Sequence, residues 1–264
     1  MKFLDEITSP ITAELTQFET FFGQSLKADT EPMDTIMQYV CQAKGKRLRP
    51  LLVLLSAKLF GEVNEQTLRA ATFVEMVHTA TLIHDDVVDD SDQRRGRASV
   101  KAHFGNLSAV LAGDYLLAKA MLLLTSMKDT DILNEILSTT AAMSEGELMQ
   151  NIVADCVPQS EKTTRYLEII TRKTALLMRS CCVSGAMSVK ATPEQIKHIA
   201  DFGINFGILF QLRDDLLDGE NMEQAQALLP EYLQKTLEAL KPFPASETLN
   251  ALRELAVFCG KRED

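Results

Sequence analysis

Three aspartates stand close together in the run Asp85-Asp86-Val87-Val88-Asp89, and Arg94-Arg95-Gly96 follows shortly after. On a helix, residues four apart share a face, so Asp85 and Asp89 lie one turn apart and repel, with Asp86 nearby. A hard divalent cation relieves that repulsion. Mg²⁺ takes a few carboxylate oxygens and completes its shell with water and phosphate oxygens. An arbitrary acidic run is more often a solvated helix end. Here the apolar segment Ala80-Thr81-Leu82-Ile83 precedes it and two phosphate-matching arginines follow, which turns the reading toward metal-bridged phosphate binding. An EF-hand fits worse, because the loop glycine and terminal glutamate are missing at the required offsets.

A second run, Phe210–Asp218 (FQLRDDLLD), puts Gln211, Asp214 and Asp218 on one helical face, with Asp215 between them in sequence. If the two helices run antiparallel across one cavity, carboxylates on opposite walls can hold metal ions around a single diphosphate. Lys44-Gly45-Lys46-Arg47-Leu48-Arg49-Pro50 sets cations in a glycine-containing loop before a proline-started helix. A second diphosphate could dock there; a plain basic surface loop is the alternative. Lys173-Thr174 lies in an apolar helix, where a snorkelling lysine is the alternative. His78 reads as a core histidine or, seven residues before Asp85, as a neighbour of the acidic face. The small Ala80 and Thr81 lie roughly 6 to 8 Å below Asp85 along a helix, which fits either tight packing or an open channel.

Long helices must hold these groups, and the composition favours them. Proline is absent from Leu51 through Val157, and that stretch is rich in Leu, Ala, Met and Val. Phe73, Met76, Val77, Ala80, Ile83 and Val87 recur at three- and four-residue steps as one helical stripe, with His78, Thr81, Asp85 and Asp89 on another face. The pattern predicts further helices over 3–23, 33–43, 50–60, 106–127, 130–154, 162–188, 193–218 and 221–240, with few strands. Breaks fall at Gly45, Gly61, the charged loop Ser91–Arg97, Pro158 and Pro193, with Thr192 as an N-cap. With 264 residues and no repeat or linker, the expectation is one domain over 1–264. The net charge of −10 argues against a nucleic-acid binder with a broad basic face. Five cysteines (Cys41, Cys156, Cys181, Cys182 and Cys259) without paired spacing fit a reducing cytosol. The N-terminus reaches Asp5 and Glu6 before any apolar run, unlike a secretory signal. No transmembrane segment is expected: the most apolar stretch, 107–127, is interrupted by Asp114 and Lys119 and reads as a buried helix.

In order along the chain, GKRLRP (45–50), HTATLIHDDVVDDSDQRRG (78–96), GDYLLA (113–118), EGEL (145–148), RKTA (172–175) and FQLRDDLLD (210–218) resemble the trans-isoprenyl diphosphate synthase family, and within it the long-chain polyprenyl enzymes. The resemblance implies an all-α, antiparallel helical bundle around a central cavity, and a cytoplasmic homodimer. It implies Mg²⁺ held by Asp85, Asp86, Asp89, Asp214, Asp215 and Asp218, and isopentenyl diphosphate bound by Lys46, Arg49, His78 and Arg95. An allylic prenyl diphosphate falls to Arg94, Lys173, Thr174 and Gln211, with Lys173 among the catalytic groups. The implied reaction is ionisation of the allylic diphosphate, attack by the isopentenyl double bond and loss of a proton, with Ala80 and Thr81 leaving room for a long all-trans product. One departure stands out. After Asp218 the family continues through a Gly- and Lys-containing loop and more helix, whereas here Gly219-Glu220-Asn221-Met222 leads straight to the final helices, so a stretch is absent. That departure keeps a second expectation in view, a non-catalytic partner subunit that binds prenyl diphosphate; a terpene cyclase would not need the Arg94-Arg95 and Lys46/Arg49 cations.

Overall fold

In the computed structural model the Leu- and Ala-rich chain forms an all-α bundle; the structure describes residues 6–43, 45–127, 129–153 and 159–261. Lys44, Cys156, Pro158 and the first three residues of the helix expected over 3–23 lie outside these. A 3₁₀ turn at Ser9–Ile11, started by Pro10, leads into α1 (Thr12–Ser25). There follow α2 (Glu31–Gln42), α3 (Leu48–Phe60) and the long α4 (Glu65–Val88). Asn64 caps α4 by accepting from the Gln66 and Thr67 amides. After a short excursion come α5 (Val100–Phe104), α6 (Asn106–Thr125) and α7 (Thr130–Val153). Beyond these lie α8 (Lys162–Ile170), α9 (Leu176–Ser188), α10 (Pro193–Asp218), α11 (Met222–Ala239) and α12 (Glu247–Lys261). Thr192 caps α10 as its sequence predicts, in a reciprocal box with Gln195.

The centre of the bundle is α9, packed against α3, α4, α7 and α10. Its residues Ser180–Ala186 are all buried, so it is apolar or small all round, as a helix enclosed by others must be. The stripe expected on α4 is the core face: Phe73, Met76, Val77, Ala80 and Ile83 are each no more than 4% exposed.

Four local expectations are corrected. The Ser91–Arg97 segment is a hairpin, β1 (Gln93–Arg94) with β2 (Arg97–Ala98), turned by Arg95 and Gly96 at φ 53° and 73°. Two central residues with positive φ match the right-handed strand twist in a two-residue loop. The short α5 has no counterpart in the predicted pattern. The helix predicted over 162–188 is interrupted by a π turn at Thr171–Ala175. Finally, α6 is buried on one face only: Leu107, Leu111, Met121 and Leu122 are at least half exposed, because α4 covers just the opposite side. Among the described residues α6 is the one helix long and apolar enough to cross a membrane by length and composition, with a third of it buried.

Candidate active site

Both acidic runs lie at helix C-termini. Asp85, Asp86 and Asp89 close α4, and Asp214, Asp215 and Asp218 close α10; neither helix has a basic residue in its last turn. The negative end of a helix dipole disfavours carboxylates, so each end carries charge that its own helix cannot compensate. Asp86 is paired with an arginine, and Asp215 is held as an anion by neutral hydrogen-bond donors. Asp86, 2% exposed, accepts from Arg94 Nε and Nη2 at 2.9 and 2.6 Å. Asp215, 5% exposed, accepts from Tyr166 Oη at 2.6 Å, Gln211 Nε2 at 2.7 Å and Asn221 Nδ2 at 3.3 Å. Asp85, Asp89, Asp214 and Asp218 keep solvent access.

Asp85 bears the uncompensated charge most plainly. Partial burial, then the carboxylates of Glu147 and Asp89, push its pKa up to about 6, against the pull of Lys173 and Arg94. Hard oxygen donors with excess negative charge suit a divalent cation such as Mg²⁺. Among the described residues no three acidic, His or Cys groups converge tightly enough to hold a metal unaided. The residues therefore fit a cation whose shell is completed by phosphate oxygens, not a closed protein site.

A cavity of about 600 Å³ is walled by Lys46, Arg49, His78, Arg94, Arg95 and Asp214, among others. Phe206 and Phe210 of α10 and Leu255 and Phe258 of α12 form its apolar side. Arg49 has its Nε shut away from solvent without an acceptor, and burial lowers its pKa. His78 is held neutral, its pKa well below the usual imidazole value through burial first and then the neighbouring Arg49 and Arg95. Arg47, in the same loop, bonds to Glu75 at 2.6 Å and Glu19 at 3.0 Å, so its charge is spent inside the fold. Arg95 lies close over Gly45, so that a Cβ there would press on its guanidinium, 2.5 Å from Cζ, and displace it.

The π turn carries Lys173 and Thr174. Thr174 Oγ1 donates to Gln211 Oε1 at 2.7 Å, and Gln211 passes a hydrogen bond on to Asp215, so these residues form one network with Tyr166. Lys173 Nζ pairs with Glu147 at 2.8 Å and donates to Gln150 at 3.0 Å. Thus Lys173 stands between the first acidic motif, through Glu147, and the wall that holds Gln211 and Asp215. Glu147 was not assigned from sequence, although the EGEL run marks it. Its Gly146 lets α7 approach the π turn, since a Cβ there would sit 2.8 Å from the Lys173 amide nitrogen. Tyr166 and Asn221 carried no signal, because only packing brings them to Asp215. Ala80 is fully buried beneath Asp85, and the half-buried Thr81 donates to the His78 carbonyl.

A helical bundle that sets acidic helix ends and clustered guanidinium groups around its cavities has the fold of the isoprenoid synthases. The chain belongs to the polyprenyl synthetase family, whose model matches residues 30–227, and the named relatives are prenyl-transferring enzymes. It is 33% identical to octaprenyl diphosphate synthase of Haemophilus influenzae over 98% of this chain and 80% of that one. Other octaprenyl and nonaprenyl synthases are spanned over 66% of their length. It is 28% identical to heptaprenyl diphosphate synthase component 2 of Geobacillus stearothermophilus, over 98% of this chain and 99% of that one. That alignment runs to 320 positions against a chain of 264 residues, so more than fifty positions are filled by the relative alone. Among solved structures, polyprenyl synthase from Caulobacter crescentus, complexed with calcium and isoprenyl diphosphate, superposes with a TM-score of 0.91 at 27% identity, over 99% of this chain and 98% of that one.

Proposed function

We propose that the protein is an Mg²⁺-dependent prenyltransferase that condenses isopentenyl diphosphate with an allylic prenyl diphosphate into a long-chain all-trans polyprenyl diphosphate. The observation that carries this reading is the cation-lined cavity that Asp214 of the second acidic end shares with Arg49 and Arg95, and whose Arg94 bonds to Asp86 of the first. In it, Lys46, Arg49, His78 and Arg95 hold isopentenyl diphosphate, with neutral His78 offering a hydrogen bond. Lys173 and Gln211, with Thr174 fixing the amide of Gln211, orient the allylic diphosphate. Asp85, Asp89, Asp214 and Asp218 hold the metal, and Asp86 and Asp215 stiffen the two ends. When bound, the metal supplies charge neutralisation for the departing diphosphate. The allylic C–O bond breaks with its electron pair leaving on the diphosphate. The isopentenyl double bond then forms the new C–C bond, and a proton passes to the released diphosphate. The apolar wall of Phe206, Phe210 and Leu255 keeps water from the carbocation.

One cytoplasmic domain, working as a homodimer, is the setting assigned by this reading. The four described cysteines are unpaired, and the exposed apolar face of α6 offers a surface to a second copy. The test is conversion of labelled isopentenyl diphosphate with farnesyl or geranylgeranyl primer in the presence of Mg²⁺. Absence of product with both primers from the intact chain overturns the reading. A second reading, a subunit that acts with a homologous partner, is favoured by the relative named as a component and by the short Gly219–Asn221 connection. Activity arising only on mixing with such a partner selects it.

A further inference from the structure

Glu75 is a carboxylate that the proposed chemistry does not use, yet it lies in the wall of the cavity of about 600 Å³ and is only 2% exposed. A buried charge is retained where partners hold it. Its partner is Arg47, whose Nη1 donates to Glu75 Oε1 at 2.6 Å. The same guanidinium donates through Nε to Glu19 Oε1 at 3.0 Å and lies over the ring of Phe22, 4.7 Å from its centroid. Glu19 and Phe22 belong to α1 and Glu75 to α4, so one side chain ties the loop before α3 to two helices. Arg47 is also the pivot of that loop. Its backbone stands at φ 51°, in the left-handed region that side chains rarely adopt, and its carbonyl accepts from the Leu51 amide at 3.0 Å as α3 begins. Such a conformation persists where surrounding contacts fix it. Lys46 precedes the pivot, Arg49 follows it by two residues, and both line the cavity. How Arg47 is held therefore sets the direction of both cations. Glu75 acts on Arg49 and Arg95 directly as well: burial lowers the pKa of each, and the Glu75 charge opposes that fall.

We infer that Glu75 is a positioning residue for isopentenyl diphosphate: by gripping Arg47 it sets the turn that aims Lys46 and Arg49 into the cavity. Naming that ligand rests on the function proposed above. Glu75 touches no reacting atom. The alternative role is a brake on the positive charge of the cavity, and the two roles respond differently when Glu75 and Arg47 are removed together. A brake removed with the cation it faces leaves anion binding as it was, because the net charge is the same. A lost grip weakens it.

The experiment is calorimetric titration of isopentenyl diphosphate into the full chain and its variants. Removing one partner alone leaves a buried charge, so the deciding variant combines Glu75→Gln with Arg47→Met. Affinity is expected to fall about tenfold in this double variant. Glu19→Gln, at a side chain 39% exposed, is expected to weaken binding about threefold. In steady-state assays KM for isopentenyl diphosphate rises by the same factors while KM for the allylic substrate holds, a split that general loosening of the fold does not produce. Unchanged or tightened binding in the double variant, or equal rises in both KM values, overturns the inference. Should the double variant fail to fold, Glu19→Gln decides the matter alone, and unchanged binding there overturns it. Glu75-dependent binding by a chain that makes no prenyl product sinks the proposed function and leaves this role standing. Product made by the double variant at an unchanged KM for isopentenyl diphosphate does the reverse.

Discussion

Arg94 directs two nitrogens at a single oxygen of Asp86, at 2.9 and 2.6 Å, so one carboxylate of the first acidic motif is neutralised within the fold. The motif is thereby divided: Asp86 anchors the hairpin to α4, while Asp85 and Asp89 keep the charge that a ligand must meet.

Replacing Asp86 with Ala strands the Arg94 guanidinium. Breaking a fully buried pair costs about 3–5 kcal/mol. Arg94 is 37% exposed and can hydrate, so the expected loss is smaller, about 2 kcal/mol. Denaturant unfolding checks this, and Asp89→Asn, at an exposed site, is expected to leave stability within about 0.5 kcal/mol.

Asp85 gives the opposite sign. Its folded pKa, about 6, lies above the ordinary value of 3.8, so the native state takes up this proton first as pH falls. The stability it contributes is complete below about pH 4 and is lost as pH rises through 6. Without Mg²⁺, Asp85→Asn is therefore expected to melt above the parent at pH 7.5, with the gap closing toward pH 4.5. Adding Mg²⁺ at pH 7.5 narrows the gap by stabilising the parent. A gap independent of pH and metal would show that Asp85 carries no uncompensated charge.

Thr81 tests the depth of the chain path. It is half-buried, so Thr81→Phe intrudes below Asp85 at an overpacking cost of about 1–3 kcal/mol. Ala80→Phe, at a fully buried position, costs more. Chromatography of the products is expected to show shorter chains from Thr81→Phe, with turnover retained. An unchanged product length places the growing chain elsewhere.

Gly146→Ala presses a methyl group onto the π turn, 2.7 Å from Arg172 Cβ and 2.8 Å from the Lys173 amide nitrogen. Backbone cannot yield there cheaply, so stability is expected to fall by about 1–3 kcal/mol and KM for the allylic substrate to rise as Lys173 shifts. Melting curves and steady-state kinetics report the two effects separately.

The long elements were legible because their signals are local. Thr192-Pro193 marks the start of α10, and the stripe from Phe73 to Ile83 fixes the buried face of α4. Both acidic runs declared themselves by spacing. What stayed hidden depends on contacts distant in sequence. Asp86 and Asp215 look like their neighbours until Arg94 and Tyr166 are seen bonded to them. Arg47 looks like Arg49 until Glu19 and Glu75 are found beside it. The apolar composition of α6 was read as burial, yet a helix at the rim of a bundle is covered on one side only.

The π turn at Thr171–Ala175 can be understood as a change of phase. Each residue of an α-helix advances the side-chain direction by about 100°, and a π turn inserts one residue without breaking the rod. Upstream of it, Tyr166 is aimed at Asp215; downstream, Gly185 is turned to the Val53 carbonyl of α3. A regular helix through the same span would have to abandon one bearing to keep the other. One extra residue thus lets a single rod serve two addresses, and deleting one residue there would leave a smoother helix that meets only one of its two partners.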